Sequence, residues 1–227
     1  MRDALIKLIR FVFGWYPALC AQFCPDGVER KALGEIFNTR NGYTPSKSKS
    51  EFWEGGDVPW FRMEDIRENG NILYDSIQHV TYGAVKGELI PKDSLIIATS
   101  ATIGVHALIK TNAIANQRFT CLTLKDKYAE LFEVKFLFYY CYKLDEYCLE
   151  HLNTGNFASV NMEQFHKFPI PIPPLEFQRA IVEQLDAFDG LCNDLCAGLP
   201  AEIDARRKEY EYYRDKLLTF KPRDEEE

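Results

Sequence analysis

Several kinds of functional motif are missing from this chain of 227 residues. It has no Walker-type phosphate loop, no glycine-rich dinucleotide turn, no Asp- or Asn-Pro-Pro-Tyr methyltransferase motif, and no serine or cysteine with an evident base partner. The four histidines are scattered along the sequence. Because such motifs mark many of the enzyme classes that a short pattern can identify, we expect a protein without a catalytic site.

Paired cysteines and long apolar runs are also missing. The seven cysteines form no Cys-x-x-Cys pair and have no nearby histidine at metal-ligand spacing, so we expect neither a disulfide framework nor a metal site. The uninterrupted apolar runs are far shorter than the roughly 20 residues that a membrane-spanning helix needs. These absences predict a cytoplasmic protein with free thiols and no membrane association.

Positive charge is scarce overall but concentrated locally. The formal net charge is -7 at pH 7, with 19 basic and 20 acidic residues in 1–170 and 8 basic and 14 acidic residues in 171–227. Between Arg30 and Ser50, five basic residues have only Glu35 as a counter-charge. Such an excess suits contact with phosphates, so the acidic total does not exclude a DNA-binding protein.

Apolar residues are plentiful, at 46% of the chain, which is enough to bury a core in one or two domains. The clearest pattern lies near the C-terminus. Four prolines between Phe168 and Leu175 predict an extended entry, after which a helix can begin. Apolar residues then recur at alternating steps of four and three, which is typical of a coiled-coil seam. The members of this first seam are Ile181, Leu185, Phe188, Cys192, Leu195 and Leu199.

The seam changes phase at Gly198-Leu199-Pro200, where Gly suits a helix end and Pro a first helical position. A second seam follows at Ile203, Tyr210, Tyr213 and Leu217. We therefore predict two helices in nearly one line, kinked at 198–200, whose seams pack against a helix of another chain. A pair of ordinary core helices is the alternative, and periodicity alone does not decide between the two.

Two long runs in this region, PIPPLEFQRAIVEQLD and GLPAEIDARRKEYEYYRDKLLTF, resemble the helical spacer of specificity subunits in type I restriction-modification systems. Shorter matches to the family lie earlier: Gly-x-Thr-Pro at 42–45, Pro-Trp at 59–60, a hairpin loop at 99–104 and Asn-Gln at 116–117. The usual chain of that family alternates two target recognition domains with two helical spacers. This chain has room for one of each, so it looks like a half-length form.

The resemblance implies an α+β protein, with a mixed α/β target recognition domain followed by a long, kinked helical spacer that forms a coiled coil. We expect an N-terminal amphipathic segment of unknown role at 1–24 and the recognition domain at 25–170. The spacer and dimerisation region would occupy 171–221, and an acidic tail 222–227.

The candidate DNA contacts lie in polar segments of the recognition domain. Hydroxyl and ammonium groups suit phosphates, Asn and Gln can pair with adenine, and Arg can pair with guanine in the major groove. The alternatives are a solvated loop near Gly42 and local backbone hydrogen bonds for Asn116 and Gln117. The predicted contacts are Arg40, Tyr43, Thr44, Ser46, Lys47, Lys49, Arg62, Thr99, Ser100, Thr102, Asn116, Gln117, Arg118, Thr154 and Asn156.

The function implied by the resemblance is to read one half of a bipartite target in double-stranded DNA. The spacer would dock methyltransferase (M) subunits, and restriction (R) subunits would join for cleavage. S-adenosylmethionine, ATP and Mg are expected on those partner subunits, and no cofactor is expected in this chain. With one recognition domain per chain, a homodimer would read a palindromic target with a fixed gap.

Alternatives from other classes stay open. The chain could be a coiled-coil scaffold that does not read DNA, or a silent or recombining half subunit. A nuclease site at Asp26, Glu29 and Lys31 is disfavoured, because these residues lie on one short turn segment and not on separate strands around a cation.

Overall fold

The computed structural model describes residues 23–153, 158–196 and 200–220, with side chains described except at 191–196 and 200–205. The predicted N-terminal segment, apart from Phe23 and Cys24, and the predicted acidic tail lie outside the described residues. No helix within the described ranges is long and apolar enough to cross a membrane.

Strands and helices alternate through the first two thirds of the chain, and helices dominate the rest. The strands are β1 (Arg30–Ala32), β2 (Phe37–Asn41), β3 (Val58–Phe61), β4 (Ile72–Leu73), β5 (His79–Val80), β6 (Leu95–Ala98), β7 (His106–Ile109), β8 (Ile114–Ala115), β9 (Phe119–Leu124) and β10 (Pro169–Pro171). The α-helices are α1 (Leu33–Ile36), α2 (Met63–Asn69), α3 (Val134–Glu150), α4 (Met162–Lys167), α5 (Leu175–Cys196) and α6 (Pro200–Leu217). Short 3-10 helices occupy Ser50–Phe52, Tyr82–Ala84 and Asp126–Leu131. This composition confirms the predicted α+β class.

The chain divides into two compact units. The sheet unit contains Ala32–Ala129 and Cys141–Pro169, of which 154–157 are not described. The helical unit contains the described parts of 1–31 and 170–227 together with Glu130–Tyr140. Glu130–Tyr140 falls inside the predicted recognition domain at 25–170, but it belongs to the same compact unit as the C-terminal helices.

A five-stranded sheet in the order β2-β9-β6-β7-β4 forms the centre of the sheet unit. Its inner strand β6, Leu-Ile-Ile-Ala, is buried at all four positions, as its continuous apolar sequence predicts. β6 is antiparallel to both of its neighbours, with Ile96 opposite Ala107 on one side and Cys121 on the other. The main core packs against this sheet and includes Phe61, Leu73 and Phe119.

A second sheet in the order β5-β3-β8 carries a separate aromatic cluster. Trp60 is its buried centre, and its indole meets Trp53 edge to face with ring centroids 4.9 Å apart. Tyr43 and Phe52 cover the cluster from neighbouring segments. Trp60 is therefore a core residue of the sheet unit, and not a platform for stacked bases.

In the helical unit, α5 and α6 fold back on one another. The ring of Phe177, at the start of α5, lies 6.0 Å from the ring of Phe220, just beyond the end of α6. The two helices have 22 and 18 residues, so they can bring these ends together only if they run antiparallel.

This hairpin corrects the predicted arrangement of the two helices in nearly one line. The boundaries were right, because α5 begins directly after Pro174 and α6 begins at Pro200. The direction of the second helix was wrong, since a Gly-x-Pro sequence permits a reversal as readily as a kink. Ends of helices can be predicted from local sequence, but the direction of the next helix depends on the surface against which it packs.

The seam residues with described side chains are buried by this chain itself. Ile181, Leu185, Phe188 and Leu217 are all nearly inaccessible to solvent, and Tyr210 and Tyr213 are half-buried. The side chains of Cys192, Leu195 and Ile203 and the whole of Leu199 lie outside the described part. The described seam therefore matches the alternative of core helices, and packing against another chain is not needed to cover it.

Candidate functional site

The loops that carry the predicted contacts leave the five-stranded sheet at one end. β2 pairs with β9 so that Asn41 lies opposite Thr120, and β6 pairs with β9 so that Ala98 lies opposite Phe119. Residues 42–49 follow β2, residues 99–104 follow β6, and residues 116–118 precede β9. Antiparallel pairing thus brings three segments that are distant in sequence to one edge, which we call the loop end.

Arg62 joins the same group through the second sheet. β3 is parallel to β8, with Phe61 opposite Ala115, and the amide of Asn116 donates to the carbonyl of Phe61 at 3.0 Å. Arg62 therefore emerges beside Asn116. Its guanidinium carbon lies 5.2 Å from the centroid of a Trp60 ring, a cation–π contact that sets the direction of the side chain.

Close backbone packing fixes the loop after β2. The amide of Gly42 donates to Phe119 O at 2.9 Å, and the amide of Tyr43 donates to Ala115 O at 2.7 Å. A Cβ atom on Gly42 would overlap the carbonyl oxygens of Asn116 and Ala115. The glycine of the Gly-x-Thr-Pro motif is therefore required here for close approach to the chain's own backbone.

The hairpin loop after β6 is tied to the segment that precedes α4. The amide of Val160 donates to Thr99 O at 2.9 Å, and the amide of Ala101 donates to Ala158 O at 3.2 Å. Gly104 adopts a φ of 89°, a conformation that favours glycine. The loop is held on both sides, which limits the entropy that it would lose on binding a ligand.

Several predicted contacts have their polar groups engaged inside the protein. Thr99 is buried, and its hydroxyl lies 2.8 Å from that of Thr120, so this group is engaged inside the protein. Tyr43 is half-buried, and its hydroxyl donates to Ala84 O at 3.3 Å. Asn116 accepts from the amide of Arg118 at 3.0 Å, the local backbone bond that was the alternative for this residue. These three groups help to hold the loops in place.

The predicted contacts that remain are more accessible. Thr44 donates to the side-chain oxygen of Gln117, which joins the first and third loops. The backbone of Ser100 forms an isolated antiparallel β-bridge with that of Ser159, and the side chains of Ser100 and Thr102 are half-buried. Thr154 and Asn156 lie outside the described residues. The exposed or half-buried cationic and polar candidates at this edge are Arg40, Thr44, Ser46, Lys47, Lys49, Arg62, Ser100, Thr102, Gln117 and Arg118.

Positive charge therefore collects at the loop end even though the whole chain is acidic. Arg40, Lys47, Lys49 and Arg118 are exposed there, and Lys49 also lies 3.8 Å from Glu51 and 4.8 Å from the centroid of the Phe52 ring. One weak surface ion pair leaves most of this charge available. Exposed cations on rigid loops, with hydroxyls and amides between them, can bind a phosphate backbone and contact base edges.

Arg30 is one of the five basic residues between Arg30 and Ser50, but its guanidinium is hydrogen-bonded within the protein. Its Nη2 donates to the carbonyl of Phe220 at 2.7 Å, just beyond the end of α6, within the helical unit. Arg30 thus joins β1 to the segment that follows α6, and it is not part of the loop end.

A buried polar pair in the sheet unit was not found from the sequence. His106 Nδ1 lies 2.6 Å from Asp145 Oδ2, both side chains are almost fully buried, and the ring of Tyr142 packs edge to face on the imidazole. Burial raises the pKa of the neighbouring Cys148 to about 12 and that of Cys141 well above its ordinary value. These thiols stay protonated, and the described residues contain no cluster of three or more potential metal ligands.

Comparison with known proteins gives a consistent result. The family model for the type I restriction modification DNA specificity domain matches residues 25–205. The chain is 54% identical over 206 residues to the type I restriction enzyme EcoprrI specificity subunit of Escherichia coli, covering 86% of this chain and 51% of that protein. It is 36% identical over 218 residues to the EcoR124I/EcoR124II specificity subunit of the same species, covering 92% and 52%.

Solved structures show the same fold at low sequence identity. An HsdS subunit from Thermoanaerobacter tengcongensis superposes with a TM-score of 0.61 at 19% identity, over 96% of this chain and 53% of that one. The S subunit of a type I restriction-modification system from M. genitalium gives 0.52 at 15% identity, over 74% and 41%. The chain thus spans about half the length of these relatives.

Proposed function

The chain belongs to the family of type I restriction-modification DNA specificity subunits, and on that premise we propose that its sheet unit reads one half of a split DNA target at the loop end. The observation that carries this proposal is the convergence of three loops and Arg62 on one cationic edge. These segments are far apart in the sequence, so chain connectivity alone does not bring them together. Their meeting at an exposed edge of the sheet unit favours a shared ligand.

The chemistry of that edge suits duplex DNA. Lysine and arginine neutralise phosphates and release counterions, which supplies affinity without sequence preference. Arg118 is exposed beside Gln117, and an arginine that pairs with the N7 and O6 atoms of guanine discriminates against other bases by about 1–3 kcal/mol. The rigid Gly42 and Thr99 backbones would hold these side chains in one arrangement, so little free energy is lost in ordering them.

A two-part target needs two reading units, and we propose that a second copy of this chain supplies the other. A two-fold pair places the same loop end on both half-sites and makes the target palindromic. The described seam of α5 and α6 is covered within one chain, so the contact between copies would use other surfaces of the helices. The distance between the sheet units of the two copies would set the gap between the half-sites.

The proposed partners are methyltransferase subunits that dock on the complex and restriction subunits that join for cleavage. The chain would recognise the target sequence and carry out no catalysis, so S-adenosylmethionine, ATP and Mg would be bound by those partners. Such a complex would act on DNA in the cytoplasm. The helical unit is the proposed docking surface for the methyltransferase.

Methylome sequencing tests the proposal in cells that express the chain with its methyltransferase partner. We expect methylated adenines in a split palindromic motif with a constant gap. A split but asymmetric motif would show that a different reading unit supplies the second half, which contradicts the homodimer. An undivided motif, or no new methylation, would contradict half-site reading and favour a scaffold or a silent half subunit.

A further inference from the structure

A segment that carries no recognised motif borders the loop end. Residues 81–88, which we call the border segment, lie along residues 40–52 over their whole length. Four hydrogen bonds join the two: Thr81 N to Phe52 O at 2.9 Å, Thr81 Oγ1 to Glu51 O at 3.0 Å, Lys86 N to Tyr43 Oη at 2.7 Å and Arg40 Nη1 to Glu88 O at 2.6 Å. The border segment is therefore as firmly placed as the loop after β2.

Tyr82 projects from the tip of this segment. Its side chain is 71% exposed, although the backbone on either side is fixed by a 3-10 turn in which Ala84 N donates to Thr81 O and Val85 N donates to Tyr82 O, both at 3.0 Å. Ala84 below it is buried in the aromatic cluster. A large ring held over solvent on a rigid turn loses little entropy when it packs against a ligand.

Lys86 lies four residues further along and is also exposed. Its Nζ is 5.3 Å from the centroid of the Tyr43 ring, so the ring directs the ammonium group. The same Tyr43 hydroxyl receives the backbone amide of Lys86. Tyr43 thus contributes through Lys86, which explains how a half-buried residue of the Gly-x-Thr-Pro motif can matter for binding.

We propose that the border segment is a further part of the DNA interface, in which Tyr82 packs against a base or deoxyribose at the edge of the half-site and Lys86 pairs with a backbone phosphate. The inference rests on the proposed function of the loop end and adds two residues to it. The aromatic contact forms only when the loop end is seated in register on its half-site, whereas an ammonium–phosphate contact can form on any duplex.

The two contacts predict different signatures in fluorescence anisotropy with the methyltransferase complex. The probes are a duplex with the target mapped by methylome sequencing and a scrambled duplex of equal length. Tyr82→Ala should weaken binding to the target duplex about tenfold, with a smaller effect on the scrambled one. Lys86→Gln should weaken binding to both duplexes equally and reduce the slope of log K against log salt by about 1.

Lys127 provides a matched control. It is another exposed lysine of the sheet unit whose Nζ lies over a tyrosine ring, 4.7 Å from the centroid of Tyr128. It follows the far end of β9, where Leu124 pairs with Phe37, opposite the loop end. Lys127→Gln should therefore leave both affinities and the salt slope unchanged.

The proposal is overturned if Tyr82→Ala and Lys86→Gln bind both duplexes as Lys127→Gln does while Arg118→Ala loses affinity for the target. That result would leave the loop end as the reading surface and remove the border segment from it. If the unsubstituted complex does not prefer the target duplex at all, the proposed function itself fails. Matching unfolding midpoints for the variants show that a loss of affinity is not a loss of fold.

Discussion

Gly42 is the residue at which the loop end depends most closely on backbone packing. Because an added Cβ would overlap two carbonyl oxygens, we expect Gly42→Ala to lower the free energy of unfolding by about 3 kcal/mol and to weaken DNA binding. Gly190 in α5 is the control, since its Cβ would meet nothing within 4 Å. Gly190→Ala should raise stability by about 0.5–1 kcal/mol through helix propensity alone. Urea unfolding of both variants measures the contrast, and equal effects would contradict the packing at Gly42.

Residue types indicated the chemistry of the loop end, but not which side chains face outward. Arg118 and Gln117 were predicted contacts and are exposed. Thr99, predicted on the same grounds, is buried against Thr120, a partner 21 positions away that no local pattern reveals. The proposed contacts Lys86 and Tyr82 were not predicted, because their position depends on hydrogen bonds to Tyr43 and Phe52, which exist only in the folded chain.

The helical unit has a polar cluster between α3 and α5. Asp186 accepts hydrogen bonds from Lys135 Nζ and from Tyr139 Oη, both at 2.6 Å. Asp189 lies one turn further on, and burial and the neighbouring Asp186 carboxylate raise its pKa above its ordinary value. The cluster joins the two elements at a cost in electrostatic free energy.

Replacing Asp189 makes this cost measurable. A carboxyl whose folded-state pKa is raised destabilises the fold as pH rises from its unfolded pKa, near 3.8, through the folded value. Asp189→Asn keeps the size of the side chain without its charge, so it should raise the melting temperature at pH 7.5 by about 2 °C. The gain should shrink as pH falls towards 3.8.

Asp186→Asn is the contrasting variant. It removes the charge with which Lys135 pairs, so it should lower stability at neutral pH. Thermal unfolding across pH 3.5 to about 8 records both effects. A stabilising effect of Asp189→Asn that did not change with pH would contradict the electrostatic origin.

Elements were predicted better than their arrangement. The four prolines predicted an extended entry, which is β10, and the start of α5 directly after Pro174. The seam predicted which face of α5 is apolar, and its members with described side chains, Ile181, Leu185 and Phe188, are buried. The partner of that face was not predictable from one chain, because a helix of the same chain and a helix of a second copy present equivalent apolar surfaces.

At the scale of the whole molecule, the family resemblance indicates DNA binding, whereas the acidic total charge argues against it. The distribution of charge along the fold reconciles the two. A group of exposed cations, Arg40, Lys47, Lys49 and Arg118, lies at one end of the five-stranded sheet, whereas much of the acidity lies in residues 171–227. An edge of this kind attracts DNA locally even when the net charge is negative. The loop end is therefore the surface on which the proposed function depends.

Photocrosslinking tests that dependence most directly. The methyltransferase complex is bound to a target duplex with 4-thiothymidine placed through each half-site, and the crosslinked peptides are identified by mass spectrometry. We expect crosslinks in 40–49, 82–88, 99–104 and 116–118, the segments at and beside the loop end. Crosslinks confined to 125–131, at the opposite end of β2 and β9, or to the helical unit would show that the DNA lies elsewhere.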